Sequence, residues 1–263
     1  MIALALLTAS ACCHATWNLL MKSVGSKGPA FIWLCGLITL PLSVVLLLRS
    51  SSVAWGPALV SMALHTLYAV TLQKAYAAAD FATVYPVSRG TAPVLITLAA
   101  GVFTWQTSVG ALLVLGGVLL MDRLHRDQPL ARGIPLGLLV AACTAAYTLW
   151  DAYAIGTLHA DLFTYLAVGN VAQAVVLSVL VRGRRAVLGE WRRALPIAIL
   201  TPASYGLVLL ALSYASVTTV AVGRTLNVVI GALLGFAILH ERVTRTRLAG
   251  LTAVVAGVVL VST

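Results

Sequence analysis

Long apolar runs separated by short polar gaps repeat along the whole chain, and the runs have the length of a bilayer crossing. About 20 consecutive apolar residues span the hydrocarbon core as a helix. By that ruler the sequence holds ten segments, at 2–21, 29–48, 54–75, 81–103, 106–121, 134–156, 162–181, 194–214, 217–239 and 245–262. The gap between the fourth and fifth is the least distinct, so a nine-segment count stays open. Backbone groups facing lipid must be satisfied within their own segment, which makes each run a helix. The runs lack the strict alternation of an outer-membrane barrel. An all-α integral membrane protein follows.

Two gaps are longer and more polar than the rest. MDRLHRDQPLARG (121–133) divides the chain into five segments and five segments, residues 1–121 and 134–263 joined by 122–133. RGRRAVLGEWRR (182–193) separates the seventh segment from the eighth.

Composition agrees with the pattern. Of the 263 residues, 61% are hydrophobic and 9% charged, whereas a soluble domain is about a quarter charged. The net charge of +10 would suggest nucleic acid in a soluble protein. Here the Lys and Arg residues fall mostly in loops, and basic or aromatic surface motifs for nucleic acid are missing. No nucleic-acid partner is expected, and the lipid bilayer is the partner implied. Cys12, Cys13, Cys35 and Cys143 all lie inside apolar runs, without zinc spacing, and read as small packing residues. No metal or cofactor is expected. Ala9-Ser10-Ala11 resembles a signal-peptidase site, but no basic residue precedes the first run, so that run reads as a retained helix.

The loop charges are one-sided. Odd-numbered loops carry Lys22, Lys27, Lys74, Arg123, Arg126 and Arg132, then the five arginines of 182–193, then Arg242, Arg245 and Arg247. Even-numbered loops hold little beyond Arg49. The positive-inside bias therefore places the odd loops in the cytoplasm and both termini outside. Five crossings per half insert the halves in opposite senses, giving two inverted five-helix repeats, as in many secondary transporters. Several sequence matches agree with duplication. GALLVLGGVLL (110–120) parallels GLTAVVAGVVL (250–260), and Trp17-Asn18 parallels Trp150-Asp151. Arg89 precedes Gln106 by the same interval at which Arg224 precedes Glu241.

Arg89 and Arg224 carry the most chemical weight. A guanidinium near the bilayer centre costs about 3 kcal/mol on insertion scales, so an intramembrane arginine reads as functional by default. Tyr85 shares a face with Arg89, and Asn227 shares one with Arg224. Pro86 and Pro93 predict a kink beside Arg89, where freed carbonyls offer the structural alternative. In the first segment His14, Asn18 and Lys22 share a face and Trp17 adjoins them. Interhelical hydrogen bonding and interfacial anchoring are the plainer readings there. In the sixth, Tyr147 and Asp151 share a face, next to Trp150. Asp151 could pair with an arginine, relay a proton as His14 might by its ordinary titration range, or sit in water near its helix end. Two arginines against one aspartate favour an anionic or zwitterionic small solute, because the guanidinium fork suits carboxylate and phosphate. His65, Tyr68, Gln73, Asn170, Gln173, Ser204 and Tyr205 read first as interhelical glue. The small-residue face Gly231–Gly235 favours a close helix contact without naming the partner. No Gly-rich phosphate loop, HExxH or Gly-x-Ser-x-Gly motif is present, so no enzyme is expected.

With these residues in view, the chain resembles the drug/metabolite transporter superfamily, in its ten-helix EamA-type branch. The resemblance is carried by HATWNLLMK (14–22), ADFATVYPVSRGTAPV (79–94) and GRTLNVVIGALLGFAILHERVTRTRLAG (223–250). Gln106 stands where many relatives carry Glu, and Thr225 where Glu often follows the arginine. The resemblance implies secondary transport by alternating access, often export of amino acids, metabolites or drugs, in a bacterial inner membrane. Several relatives have cytoplasmic termini, opposite to the charge count here. A membrane-embedded lipid-flipping or accessory subunit is the alternative function. A homodimer is a candidate assembly that the sequence leaves open.

Overall fold

The computed structural model describes residues 2–24, 28–50, 52–79, 81–101, 104–121, 130–181, 184–238 and 244–262. These residues form helices and connections and contain no strand. In order they are α1 (Ile2–Val24), α2 (Gly28–Arg49), α3 (Trp55–Ala78), α4 (Phe81–Ala100), α5 (Trp105–Met121), α6 (Leu130–Gly156), α7 (Leu162–Leu180), α8 (Trp191–Ala211), α9 (Val217–Gly223), α10 (Leu226–Ile238) and α11 (Arg245–Ser262). A short 3-10 helix, Arg184–Glu190, precedes α8. Four stretches are long and apolar enough to cross a bilayer on their own: Ala30–Arg49, Gly133–Gly156, Leu162–Val179 and Arg185–Ala211. Among the described residues, Ile2–Trp17, Val87–Ala100, Trp105–Leu120, Val217–Ile230 and Leu248–Val261 are shorter apolar stretches. Large apolar side chains face outward along the helices, Leu48 and Val179 being about four-fifths exposed, as a lipid solvent requires.

The uncertain fourth gap is a true helix boundary. Gly101 takes φ +66, a left-handed conformation that glycine adopts without strain and that commonly ends a helix. Thr104 then caps α5, its hydroxyl accepting from the Thr107 N–H at 3.1 Å.

The expected ninth crossing (217–239) is broken into α9 and α10. The break falls at Arg224-Thr225, in a segment without proline, while α4 runs as one helix through Pro86 and Pro93. The chain tightens at the break: the Thr225 N–H bonds the Val222 carbonyl at 3.0 Å, three residues back. The Thr225 hydroxyl donates to that same carbonyl at 2.5 Å. A threonine competing for a helix carbonyl bends the helix.

Helix packing follows a pseudo-twofold. Counting α9 and α10 as one crossing and α11 as the tenth, each main contact recurs five helices later. α5 lies along α11 and α2 along α7, pairs that map onto themselves. α1–α8 maps onto α6–α3, and α4–α6 onto the broken crossing against α1. The α5–α11 seam shows why the chain can pack so closely. A Cβ added to Gly110 would lie 2.8 Å from the Gly257 carbonyl oxygen, and one added to Gly117 would lie 2.6 Å from that of Gly250. Small residues let two backbones touch, which drives helix association in lipid. Ala111, Val114, Val118, Val254 and Val258 fill the rest of the seam. The small-residue face at Gly231–Gly235 includes side chains outside the described set.

The polar residues read as glue do hold helices in several places. Asn170 on α7 donates to Ser43 on α2 at 2.9 Å and accepts from Thr39 at 3.1 Å. Ser10 on α1 donates to the Ser204 carbonyl on α8 at 2.7 Å.

Candidate functional site

Arg89 and Arg224 enter one cleft from opposite halves of the molecule. Arg89 lies eight residues into α4 and Arg224 at the C-terminal end of α9, each about 10–12 Å along its helix at 1.5 Å per residue. Thr144 and Thr148 of α6 and Asn227 of α10 also line the cleft; Pro93 and Ile96 supply part of its apolar wall. Among its described lining residues there is no carboxylate. The space within is about 30 Å³, on the scale of a water molecule rather than a metabolite.

Each arginine is oriented by a phenol. Arg89 Nη2 donates to the Tyr68 hydroxyl at 3.2 Å. Arg224 Nη2 donates to the Tyr147 hydroxyl at 3.2 Å, and Nη1 to the Thr148 hydroxyl at 3.3 Å. The Arg224 guanidinium also lies 5.7 Å from the ring centres of both Tyr147 and Tyr205, within cation–π range. The two tyrosines Tyr68 and Tyr147 meet edge to face, centroids 5.4 Å apart, so the two arginine mounts touch.

Asp151 pairs with no arginine among the described residues and does not sit in water. It is 1% exposed and is surrounded by donors from three other helices. Ser61 of α3 donates to Oδ1 at 2.6 Å and Tyr165 of α7 to the same oxygen at 2.5 Å. His65 Nε2 lies 3.1 Å from Oδ2, and the Tyr205 hydroxyl of α8 donates to Oδ2 as well. His65 in turn stacks on Tyr147 with centroids 4.1 Å apart. Thus Tyr147 and Tyr205 contact both the Asp151–His65 pair and Arg224.

The other expected site residues fall elsewhere or outside description. Trp150 points to α3, its indole N–H donating to the Pro57 carbonyl at 2.9 Å. His14 packs edge-on against Trp17 with centroids 5.0 Å apart and lies within electrostatic reach of both arginines. Trp17 packs against the apolar cluster around Phe31 and Val187, and its indole nitrogen is buried without an acceptor among the described residues. The side chains of Asn18 and Tyr85, like Lys22 and Glu241, lie outside the described set.

Sequence reading underrated Ser61, Thr144, Thr148, Tyr165, Tyr68, His65 and Tyr205. A signal was available for most of them. Ser61, His65 and Tyr68 sit at i, i+4, i+7 on α3, and Thr144, Tyr147, Thr148 and Asp151 at i, i+3, i+4, i+7 on α6. Each set is a polar stripe on an otherwise apolar helix. Tyr165 and Tyr205 stand singly, and only packing brings them in.

Comparison with known proteins agrees with this architecture. A solved protein crystal structure superposes with a TM-score of 0.78 at 16% sequence identity, over 98% of this chain and 95% of its own; at that identity the likeness concerns the fold. No curated protein sequence matches the chain. The model of the EamA-like transporter family matches residues 131–263. A multi-pass helical membrane protein with that match over half its length belongs to the EamA-like transporter family.

Proposed function

We propose that the protein is a secondary transporter of the bacterial inner membrane that moves a small anionic or zwitterionic metabolite by alternating access. The carrying observation is the cleft lined by both Arg89 and Arg224, which come from separate halves. Two guanidiniums without a lining carboxylate form an acceptor-seeking site, suited to carboxylate or phosphate oxygens. The solute binds between Arg89, Arg224, Asn227 and the α6 threonines. Its role is transport rather than catalysis.

The halves 1–121 and 134–263 rock about the pseudo-twofold, with 122–133 as their connection. The small volume of the cleft belongs to a conformation closed over the site, and rocking opens it to either face in turn. Arg224 sits at a helix break, where irregular backbone lines a cavity in many transporters. Export is the net direction that the family resemblance implies.

A metabolite library screened by thermal shift on the purified protein tests the site. A ligand found this way should lose about 1.5–3 kcal/mol of binding in Arg89→Ala, the worth of a charged hydrogen bond, or about 10- to 150-fold in affinity. A shift that survives the substitution unaltered removes Arg89 from the site. Counterflow of the same water-soluble ligand in proteoliposomes establishes transport; its absence returns the lipid-flipping reading to the front.

A further inference from the structure

The cluster on Asp151 has chemistry that solute binding at the arginines does not use. Its proton arrangement can be worked out from the contacts. Oδ1 accepts from Ser61 and Tyr165, and Oδ2 accepts from Tyr205. Three hydroxyl donors gathered on its two oxygens mark Asp151 as a carboxylate. His65 Nε2 lies 3.1 Å from Oδ2 and 3.0 Å from the Tyr205 oxygen. The Tyr205 proton is committed to Oδ2, so both neighbours of Nε2 present lone pairs and Nε2 carries its hydrogen. The remaining acceptor of the neutral imidazole is Nδ1. It makes no hydrogen bond to a described residue, and the His65 side chain is 32% exposed. A proton arriving at Nδ1 breaks none of these hydrogen bonds and takes the Asp151–His65 pair from one negative charge to zero.

Other ionisable groups surround the pair from every packed helix. Tyr68 lies on α3 itself, Tyr147 on α6, Tyr165 on α7 and Tyr205 on α8. Arg224, at the α9–α10 break, and Arg89, bonded to Tyr68, are described cations next to this cluster. Arg224 touches the same two rings that pack on His65: Tyr147 stacked on its face at 4.1 Å and Tyr205 edge-on at 5.0 Å. The guanidinium lies 5.7 Å from each of those ring centres.

We infer that Asp151 and His65 form a proton-binding site linked through Tyr147 and Tyr205 to Arg224, so that a proton and a solute anion bind together. The second half of this statement rests on the anion-binding role of the arginines proposed above. With the pair at one negative charge, Arg224 has a counter-charge next to the rings it shares with the pair. Protonation removes it, and an anion on Arg224 restores the balance. By linkage, the anion tightens proton binding by the same factor. The proton comes from water on one side, resides on Nδ1, and leaves to water on the other; no other bond changes. An inward proton gradient then draws the anion inward, the reverse of the export implied by resemblance.

The proton alone serves as the probe. Liposomes bearing the full chain, adsorbed on a capacitive sensor, receive a pH step with no solute present. Wild type should give a transient charge displacement, which Asp151→Asn and His65→Gln lose. Arg224→Gln should move the half-point of the displacement to higher pH, because a positive charge has gone from beside the site. Tyr205→Phe keeps the ring and removes one donor from the carboxylate, and should move it the same way; this variant decides the matter if Asp151→Asn does not fold. Absence of the transient in wild type, or its persistence in full in Asp151→Asn, overturns the proton site. An unmoved half-point in Arg224→Gln overturns the link. Since no solute is added, a failed Arg89 ligand test and a failed proton test are read separately.

Discussion

A guanidinium inside a helical crossing must find acceptors for a fork of five N–H donors. Arg224 finds them on Thr148 and Tyr147 and rests against two aromatic faces. Asp151 solves the opposite problem by collecting four donors around two oxygens. Such arrangements are costly to break by halves, because the group left behind stays buried and unsatisfied. Tyr165, 3% exposed, is the clearest case. Tyr165→Phe keeps the ring and deletes a donor to a buried carboxylate, so it should destabilise the protein by about 1.5–3 kcal/mol. Thermal unfolding in detergent measures this, and an unchanged midpoint would remove Tyr165 from the support of Asp151. Asp151 and Tyr147 were legible in the sequence as neighbours on one helix face. Their partners came from α3, α7 and α8, at separations that no local pattern encodes.

Among the elements, the seam between α5 and α11 and the break between α9 and α10 decide most. The glycine segments 110–120 and 250–260 looked alike as sequence, and they prove to be partners in space. The approach of Gly110 to Gly257 and that of Gly117 to Gly250 are equivalent contacts under the pseudo-twofold. Gly117→Ala would place a methyl 2.6 Å from a backbone oxygen. Backbone cannot step aside as a side chain can, so a cost of about 1–3 kcal/mol is expected. Gly116→Ala, one residue away, meets nothing within 4 Å and should be close to neutral. Equal thermal stability of the two variants would reject the tight seam. The break teaches a different lesson. Proline predicts a kink in α4, which is nonetheless one continuous helix, since proline can be accommodated inside a membrane helix. Thr225 and the close approach of Leu7 to Gly223, where an added Cβ would lie 2.5 Å from the leucine methyl, coincide with the actual break.

At the scale of the whole molecule, two arrangements are superposed. Packing relates the halves by a pseudo-twofold, while charge distinguishes the two ends of the bundle. The 3-10 helix of the basic loop is anchored in the bundle by Val187, buried among Phe31, Leu34, Ala194 and Ile197. Arg185, Arg192 and Arg193 remain exposed there. The positive-inside bias predicts this end to be cytoplasmic and both termini to be outside. A reporter fused after Thr263 should then be active only on the outer side; activity confined to the cytoplasm would reverse the assignment. Orientation also fixes which face a proton reaches first, so this result bears on the direction of coupling.

By itself the sequence determined the membrane class, nearly all helix positions, the grouping into fives and the two arginines that warranted attention. Those features depend on local quantities: the length of an apolar run, the sign of a loop, and the cost of a charge in lipid. Only the tertiary structure decided that Asp151 is held by Ser61, His65, Tyr165 and Tyr205, that Tyr147 and Tyr205 link this cluster to Arg224, and that the helix breaks at Thr225. Lipid gives helices no polar-against-apolar face to read along most of their length. Which faces meet is set by close packing of small residues and by hydrogen bonds between distant helices, and both arise only when the chain is folded.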